Sequence, residues 1–236
     1  KRAGEATTLN NMALVYQTRG QPVKALALYE QSLPIMREVG NRAGEAKTLN
    51  NIGGIYHDTG QPEKALVLYE QALLIMREID NRPGEAMTLN NIGGVYSVTG
   101  QTVKALEYLE QVLPIIREVG DRTGEALTLN NIGGLYNDMG KPGKALELYE
   151  QALPILRDVG NRAGEATVLG NIAWLYRDAS QPERAIVFLR QAVNLMLQIE
   201  NPNTAQATGT LAQWEAAFAR GEPLPGRSSR SAGSDG

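Results

Sequence analysis

The residues of this sequence that could do acid–base or nucleophilic chemistry are not arranged in a catalytic pattern. His57 is the single histidine and the chain has no cysteine, which excludes thiolate nucleophiles, thiolate metal sites and disulfides. Asp58, Asp138 and Asp178 recur at repeat spacing, not as the close carboxyl pair that general acid–base catalysis needs. The sequence has no G-x-x-x-x-G-K-[ST] phosphate loop and no metal-spaced cluster. We therefore expect no catalytic residue, no metal ligand and no cofactor, and a chain that is not an enzyme.

Asparagine is the polar residue with the most regular pattern. It forms two rows at a spacing of 40, the first being Asn10, Asn50, Asn90 and Asn130, and the second Asn11, Asn51, Asn91, Asn131 and Asn171. A carboxamide both donates and accepts hydrogen bonds, so it can pair with the backbone of an extended chain whatever its side chains. The alternative is that these amides bridge neighbouring repeats. Ligand contact is favoured for the first row, and both interpretations stay open for the second.

The spacing of 40 belongs to the whole sequence, which overlays itself without gaps in five units: 1–40, 41–80, 81–120, 121–160 and 161–200. Each unit holds two amphipathic patterns with helical spacing, the first represented by Leu49, Ile52, Gly53 and Tyr56. Gly60 ends this helix and Pro62 opens the next. The connection is too short for anything but an antiparallel hairpin, and one hairpin cannot bury both apolar stripes. The hairpins must therefore stack into a solenoid.

The run Leu49-x-x-Ile52-Gly53-x-x-Tyr56-x-x-x-Gly60, followed by Ala65, Tyr69 and Ala72, resembles the tetratricopeptide-repeat signature. All five units match it, although the usual unit has about 34 residues. The longer form is similar to the repeats of Pins-type polarity adaptors and kinesin light chains, and to bacterial tandem arrays that accompany CHAT peptidase or NTPase domains. The resemblance implies an all-α, right-handed α–α superhelix of five hairpins. It also implies an adaptor that binds an extended peptide or partner protein in its concave groove.

In such repeats the first helix of each unit lines the groove. A rotation of about 100° per residue selects its exposed side chains, which, besides the asparagine rows, include Lys47, Gly54, Gly94, Gly134, His57, Asn137, Trp174 and Arg177. Met87 and Leu127 take the place of Lys47 in the next two units. An exposed glycine inside a helix costs about 1 kcal/mol relative to alanine, so the three glycines predict close approach by a ligand backbone or a neighbouring helix. Trp174 is either a ligand platform or, more commonly for such a residue, packed against a C-terminal cap.

Charge and hydropathy limit the partners. The net charge is −3 and acidic and basic residues alternate, so a nucleic-acid-binding surface is not expected. No apolar run reaches the roughly 18 residues of a membrane span, and no signal-peptide pattern opens the chain. We expect a cytoplasmic protein without nucleic-acid or membrane partners. The alternative to peptide binding is a regulatory or oligomerisation array within a larger bacterial signalling or CHAT-peptidase protein, with possible end-to-end self-association.

The two ends of the sequence differ from the repeats. Residues 201–220 have the pattern of one more first-type helix, which would cap the array. Residues 221–236 are rich in Pro, Gly and Ser, which predicts a disordered tail. Because the first residue is Lys1 and lies within the repeated motif, we expect the sequence to be a piece of a longer protein.

Overall fold

The computed structural model describes residues 2–226, which form helices joined by short connections. The helices are α1 (Arg2–Thr18), α2 (Pro22–Glu38), α3 (Arg42–Asp58), α4 (Pro62–Glu78), α5 (Arg82–Val98), α6 (Thr102–Val119), α7 (Arg122–Asp138), α8 (Pro142–Asp158), α9 (Arg162–Asp178), α10 (Pro182–Gln198) and α11 (Thr204–Ala219). We call α1, α3, α5, α7 and α9 the A-helices, and α2, α4, α6, α8 and α10 the B-helices. This order confirms the predicted all-α tandem-repeat fold. In the described part of the chain, no helix combines the length and apolar character needed to cross a membrane.

Local capping sets where each A-helix begins. The side chain of Asn41 accepts a hydrogen bond of 2.9 Å from the backbone N–H of Gly44, which satisfies one of the free donors of the first turn. The same cap is present at Asn81, Asp121 and Asn161. Gly44 is needed for a separate reason, because a Cβ atom there would lie 2.7 Å from Met36 Sδ. The glycine therefore lets the start of the A-helix pack on the preceding B-helix.

Three B-helices contain an internal proline and still continue to the usual end. α2, α6 and α8 run through Pro34, Pro114 and Pro154. A proline removes one backbone hydrogen bond and leaves a carbonyl without its partner. All three prolines are exposed, so water can reach this side of the helix and lower the cost. The three helices therefore continue through their prolines.

The first compact unit spans Lys1–Met139 and contains α1 to α7. Within it, small residues allow the two helices of a hairpin to cross closely. A Cβ atom on Gly53 would lie 2.7 Å from the ring of Tyr69, and one on Gly93 would lie 2.9 Å from Leu109. Ala65 on α4 is fully buried. These contacts explain the small residues of the repeat signature as packing positions.

In several repeats, a buried glutamate on the A-helix accepts a hydrogen bond from an arginine on the preceding B-helix. Glu85 on α5 is 6% exposed, and its carboxylate accepts hydrogen bonds from Arg77 Nε on α4 at 2.7 Å and from Arg82 Nη1 at 2.6 Å. Arg82 also pairs with the exposed Glu118 at 2.8 Å. The arrangement around Glu85 recurs at Glu45, Glu125 and Glu165. The sequence pattern alone did not identify the buried carboxylates that these arginines neutralise.

The second compact unit spans Gly140–Gly236 and contains α8 to α11. Its apolar cluster is centred on Trp214 of α11, which is fully buried. Leu224 belongs to the same cluster and is buried, so the prediction of disorder is wrong for residues 221–226. The physical reason is that the Leu224 side chain packs in this apolar cluster. The backbone carbonyls of Leu224 and Pro225 also accept hydrogen bonds from helix side chains. The remainder of the predicted tail, 227–236, lies outside the described residues.

Candidate functional site

The first asparagine row lies between consecutive A-helices. Asn50 is 4% exposed, and its Nδ2 donates a hydrogen bond of 2.8 Å to Thr88 Oγ1 on the next A-helix. Thr88 in turn donates to the backbone carbonyl of Gly84 at 2.8 Å. Asn10 makes the equivalent bond to Thr48 at 2.7 Å. The prediction of ligand contact is therefore wrong for Asn50, which is sealed between repeats, and the donor of Asn10 is used in the same way.

The rest of the asparagine rows is more accessible. Asn131 and Asn11 are exposed, whereas Asn90, Asn91 and Asn130 on α5 and α7 are half-buried. Burial raises the pKa of Tyr29, and a side-chain hydrogen bond with Asn51 partly offsets this rise. Asn51 itself is half-buried, and both interpretations of its row stay predictions. Asn171, in the second unit, is half-buried.

The remaining predicted positions of the first unit lie at the surface of the A-helices. Lys47 is exposed, and His57, Asn137, Gly54 and Gly134 are half-buried. We call this accessible side of α3, α5 and α7 the A-helix face.

Two glycines of this face are not required by packing. A Cβ atom on Gly94 would have no neighbouring atom within 4 Å, and one on Gly54 would make only ordinary contacts, the nearest with Tyr69 Oη at 3.7 Å. Gly53 and Gly93, by contrast, are held by the crossing B-helix. Close approach of a neighbouring helix is therefore not the reason for Gly94, which opens space on the A-helix face.

Between α5 and α7 the A-helix face opens into a cleft of about 540 Å³. Met87 and Leu127 stand on its two sides and are 46% and 42% exposed. Its further lining includes Pro83 at the start of α5, Ile116 and Val119 at the end of α6, and the amides of Asn90 and Asn131. We call it the α5–α7 cleft. Sequence reasoning did not select its apolar residues, although two adjacent apolar side chains in an otherwise polar exposed column were the available signal.

In the second unit, Trp174 and Arg177 contact the chain's own C-terminal residues. The rings of Trp174 and Trp214 meet edge to face with centroids 4.8 Å apart. Arg177 donates from Nε to the backbone carbonyl of Leu224 at 3.3 Å and pairs with Asp178 at 2.6 Å. Packing against the C-terminal cap, rather than an open ligand platform, is the arrangement in this structure.

Stacked antiparallel helix pairs, small residues at each crossing and an accessible face on the first helix of each pair define a helical-repeat protein. The family model described as tetratricopeptide repeat matches residues 4–78, 44–118, 84–158 and 124–198. The chain therefore belongs to the tetratricopeptide-repeat family, as its sequence signature predicted. No sequence among the curated proteins matches it.

Several solved structures share the fold. A signal transduction ATPase with numerous domains and a tetratricopeptide repeat sensor, from Pyrococcus horikoshii, matches with a TM-score of 0.81 and 21% identity, over 90% of this chain and 33% of that one. A putative kinesin light chain with nearly identical repeats, from Podosopora anserina, matches with a TM-score of 0.69 and 20% identity, over 85% and 99%. Aspartyl phosphate phosphatase F from Bacillus subtilis matches with a TM-score of 0.81 and 11% identity, over 92% and 57%. The chain spans about a third of the archaeal protein. At these identities the likeness shows the fold alone.

Proposed function

We propose that this chain is a non-catalytic protein-interaction scaffold whose A-helix face binds an extended segment of a partner protein. The α5–α7 cleft is the observation that carries the proposal. Ligand-binding sites are typically concave, mostly apolar and edged by a few polar groups. Met87 and Leu127 form an exposed apolar pair at this cleft, and amides stand at the rim beside them. The cleft would take one apolar side chain of the ligand.

The polar groups around the cleft suit the backbone of that ligand. Asn131 is exposed and Asn90 half-buried, and a carboxamide pairs equally well with a backbone N–H or C=O. The open space at Gly94 lets a main chain lie close to α5. Neighbouring A-helices at a packing distance of about 10 Å correspond to about three extended residues of ligand per repeat. The proposed ligand is therefore an extended peptide with an apolar anchor, recognised mainly through its backbone.

A random peptide library of 12–15 residues, sized to about 40–50 Å of extended chain, tests this proposal. We expect the chain to enrich peptides with a large apolar residue at a fixed position. Leu127→Lys places a charge in the cleft and is expected to weaken these peptides at least tenfold, or about 1.4 kcal/mol. Asn131→Ala is expected to weaken them less. Fluorescence anisotropy with labelled peptides measures both effects.

The control for this experiment is Asn50→Ala. Asn50 is buried between repeats, so its loss should lower the free energy of unfolding by about 1 kcal/mol and leave peptide affinity unchanged. Its Oδ1 has no hydrogen-bond partner, which keeps the expected loss small. If no peptide is enriched, or if enriched peptides bind the Leu127→Lys chain as tightly as the unchanged one, the cleft is not the binding site.

Gly94→Ala is expected to change stability and binding in opposite directions. The new Cβ meets no atom within 4 Å, and an alanine inside an exposed helix is favoured over glycine by up to about 1 kcal/mol. The same methyl group occupies the space in which a ligand backbone would lie, so peptide affinity should fall. Urea denaturation and anisotropy give the two values on the same sample.

Gly209→Ala in α11 is the matched control, since Gly209 is exposed and its added Cβ would also meet nothing within 4 Å. It should stabilise the chain without affecting peptide binding. Gly53→Ala, whose Cβ would collide with Tyr69, should destabilise it. A Gly94→Ala chain that binds peptides with full affinity would remove close backbone approach from the proposal.

The alternative function is a regulatory array within a larger signalling protein. The archaeal structure, described as containing a tetratricopeptide repeat sensor, favours this alternative. It predicts that stacking matters more than any ligand in the cleft. Leu127→Lys would then be silent in every peptide assay, and sedimentation across a dilution series would show concentration-dependent assembly.

A further inference from the structure

A short non-helical segment of the chain packs on α9 and α11 in the second unit. Residues 222–226, with the sequence Glu-Pro-Leu-Pro-Gly, follow the end of α11 without forming a helix. Leu224 at its centre is 8% exposed. It shares an apolar cluster with Ala173 of α9 and with Trp214 and Ala217 of α11. We call residues 222–226 the C-terminal strap.

Helix side chains supply the donors and the strap backbone supplies the acceptors. Arg177 Nε donates to the carbonyl of Leu224 at 3.3 Å, and Trp214 Nε1 donates to the carbonyl of Pro225 at 3.1 Å. Pro223 and Pro225 have no backbone N–H, so such a segment offers mainly carbonyl oxygens to a receptor. Indole donors, an aromatic surface and a seat for one apolar side chain are the features by which proteins recognise proline-rich extended segments.

Trp174 and Arg177 occupy positions that face the accessible side of the A-helix in earlier repeats. Trp174 takes the position of Gly54 and Gly94 in earlier repeats, and Arg177 takes the position of His57. An adjoining opening of about 510 Å³ is lined on one side by Arg177 and Pro182 and on the other by the strap. The strap thus leaves room beside it for a longer or bulkier ligand.

We propose that Trp174, Arg177 and Trp214 form a binding site for extended Pro-Leu-Pro-type peptide segments, which the chain's own C-terminal strap fills in cis. This site lies on other helices than the α5–α7 cleft, and it does not depend on that cleft binding a ligand. A tethered segment has an effective concentration in the millimolar range. A partner segment therefore binds only when it outcompetes the strap or when the strap is displaced.

Leu224→Ser in the full chain tests this proposal. The change removes the buried side chain of the strap and leaves the three receptor residues intact. Trp174 and Trp214 are the two tryptophans of the chain, which also has nine tyrosines, so fluorescence excited selectively at tryptophan reports on this site. We expect the emission of the variant to shift to longer wavelength as water reaches the rings. Adding the hexapeptide Gly-Glu-Pro-Leu-Pro-Gly at up to millimolar concentration should reverse the shift.

The same peptide should bind the unchanged chain at least about tenfold more weakly, because the strap competes with it. A peptide with serine in place of leucine is the negative control. Trp214→Phe in the Leu224→Ser background removes the donor to the Pro225 carbonyl and should weaken the peptide further, as judged by the remaining fluorescence of Trp174.

Far-UV circular dichroism separates an open site from an unfolded unit. The proposal is overturned if Leu224→Ser retains its helicity and emission, or if it exposes the rings without binding the hexapeptide. A loss of helicity that added peptide fails to restore would also overturn it, since the strap would then be a structural cap. If the leucine and serine peptides bind equally well, the site does not recognise the leucine side chain.

Discussion

Glu85→Ala is expected to lower the free energy of unfolding by about 2–3 kcal/mol. The substitution removes two charge-assisted hydrogen bonds at once, at 2.7 Å from Arg77 and at 2.6 Å from Arg82. One of them joins α4 to α5, so the interface between repeats loses a fixed contact. The arginine side chains remain about half and one third exposed, and water can hydrate them after the change. This hydration keeps the loss below that of a fully buried ion pair.

Urea denaturation followed by circular dichroism measures this loss, and Glu118→Ala provides the matched control. Glu118 contacts the same Arg82, at 2.8 Å, but its side chain is largely exposed. Exposed ion pairs contribute little because water competes with them. The control should therefore cost much less than Glu85→Ala. Equal losses for the two variants would show that burial of the carboxylate is not what makes the contact important.

Local rules were sufficient to predict the elements of the fold. The cap at Asn41 and the positive φ of Gly60 depend on the few residues around them, so the sequence contains all the information for each helix boundary. Because the same sequence pattern recurs in every repeat, the prediction for one hairpin also applied to the others. Stacking of neighbouring hairpins was predictable because one hairpin alone cannot bury both of its apolar stripes.

Side-chain burial between repeats was not predictable from the rotation of one helix. Asn50 and Asn131 belong to the two asparagine rows, yet one is sealed against Thr88 and the other is exposed. The difference depends on how far the next A-helix overlaps each position. Glu85 was missed for the same reason, since a charged residue is assigned to solvent unless its arginine partners from another helix are known.

The residues of the candidate site were also predicted only in part. The sequence pointed to amides, whereas the cleft depends on the exposed pair Met87 and Leu127. A pair of apolar residues at one repeat spacing is a weak signal in sequence, because single exposed apolar residues are common. The strap was missed because a segment rich in Pro and Gly was treated as uniformly disordered, although Leu224 gives it one buried anchor.

Trp214→Ala is expected to have the largest effect on stability, a loss of about 3–5 kcal/mol. Trp214 is fully buried and belongs to an apolar cluster with residues of α9, α10 and the strap. Truncation leaves a cavity that the surrounding helices can fill only in part. It also removes the edge contact with Trp174 and the donor to Pro225. Urea denaturation of the full chain measures the effect.

One further substitution at Trp214 and one in the strap divide that loss into its parts. Trp214→Phe keeps most of the ring volume and removes the N–H donor, so it should cost about 1 kcal/mol for the hydrogen bond in addition to a smaller packing loss. Leu224→Ser removes only the anchor of the strap, which lies at the edge of the cluster. If Leu224→Ser were as destabilising as Trp214→Ala, the strap would be a structural part of the core and too strongly held to exchange with a ligand. A much smaller loss, with the core of α9 and α11 intact, is what an exchangeable strap requires, because a site can accept a second peptide only if it stays folded when the first one leaves.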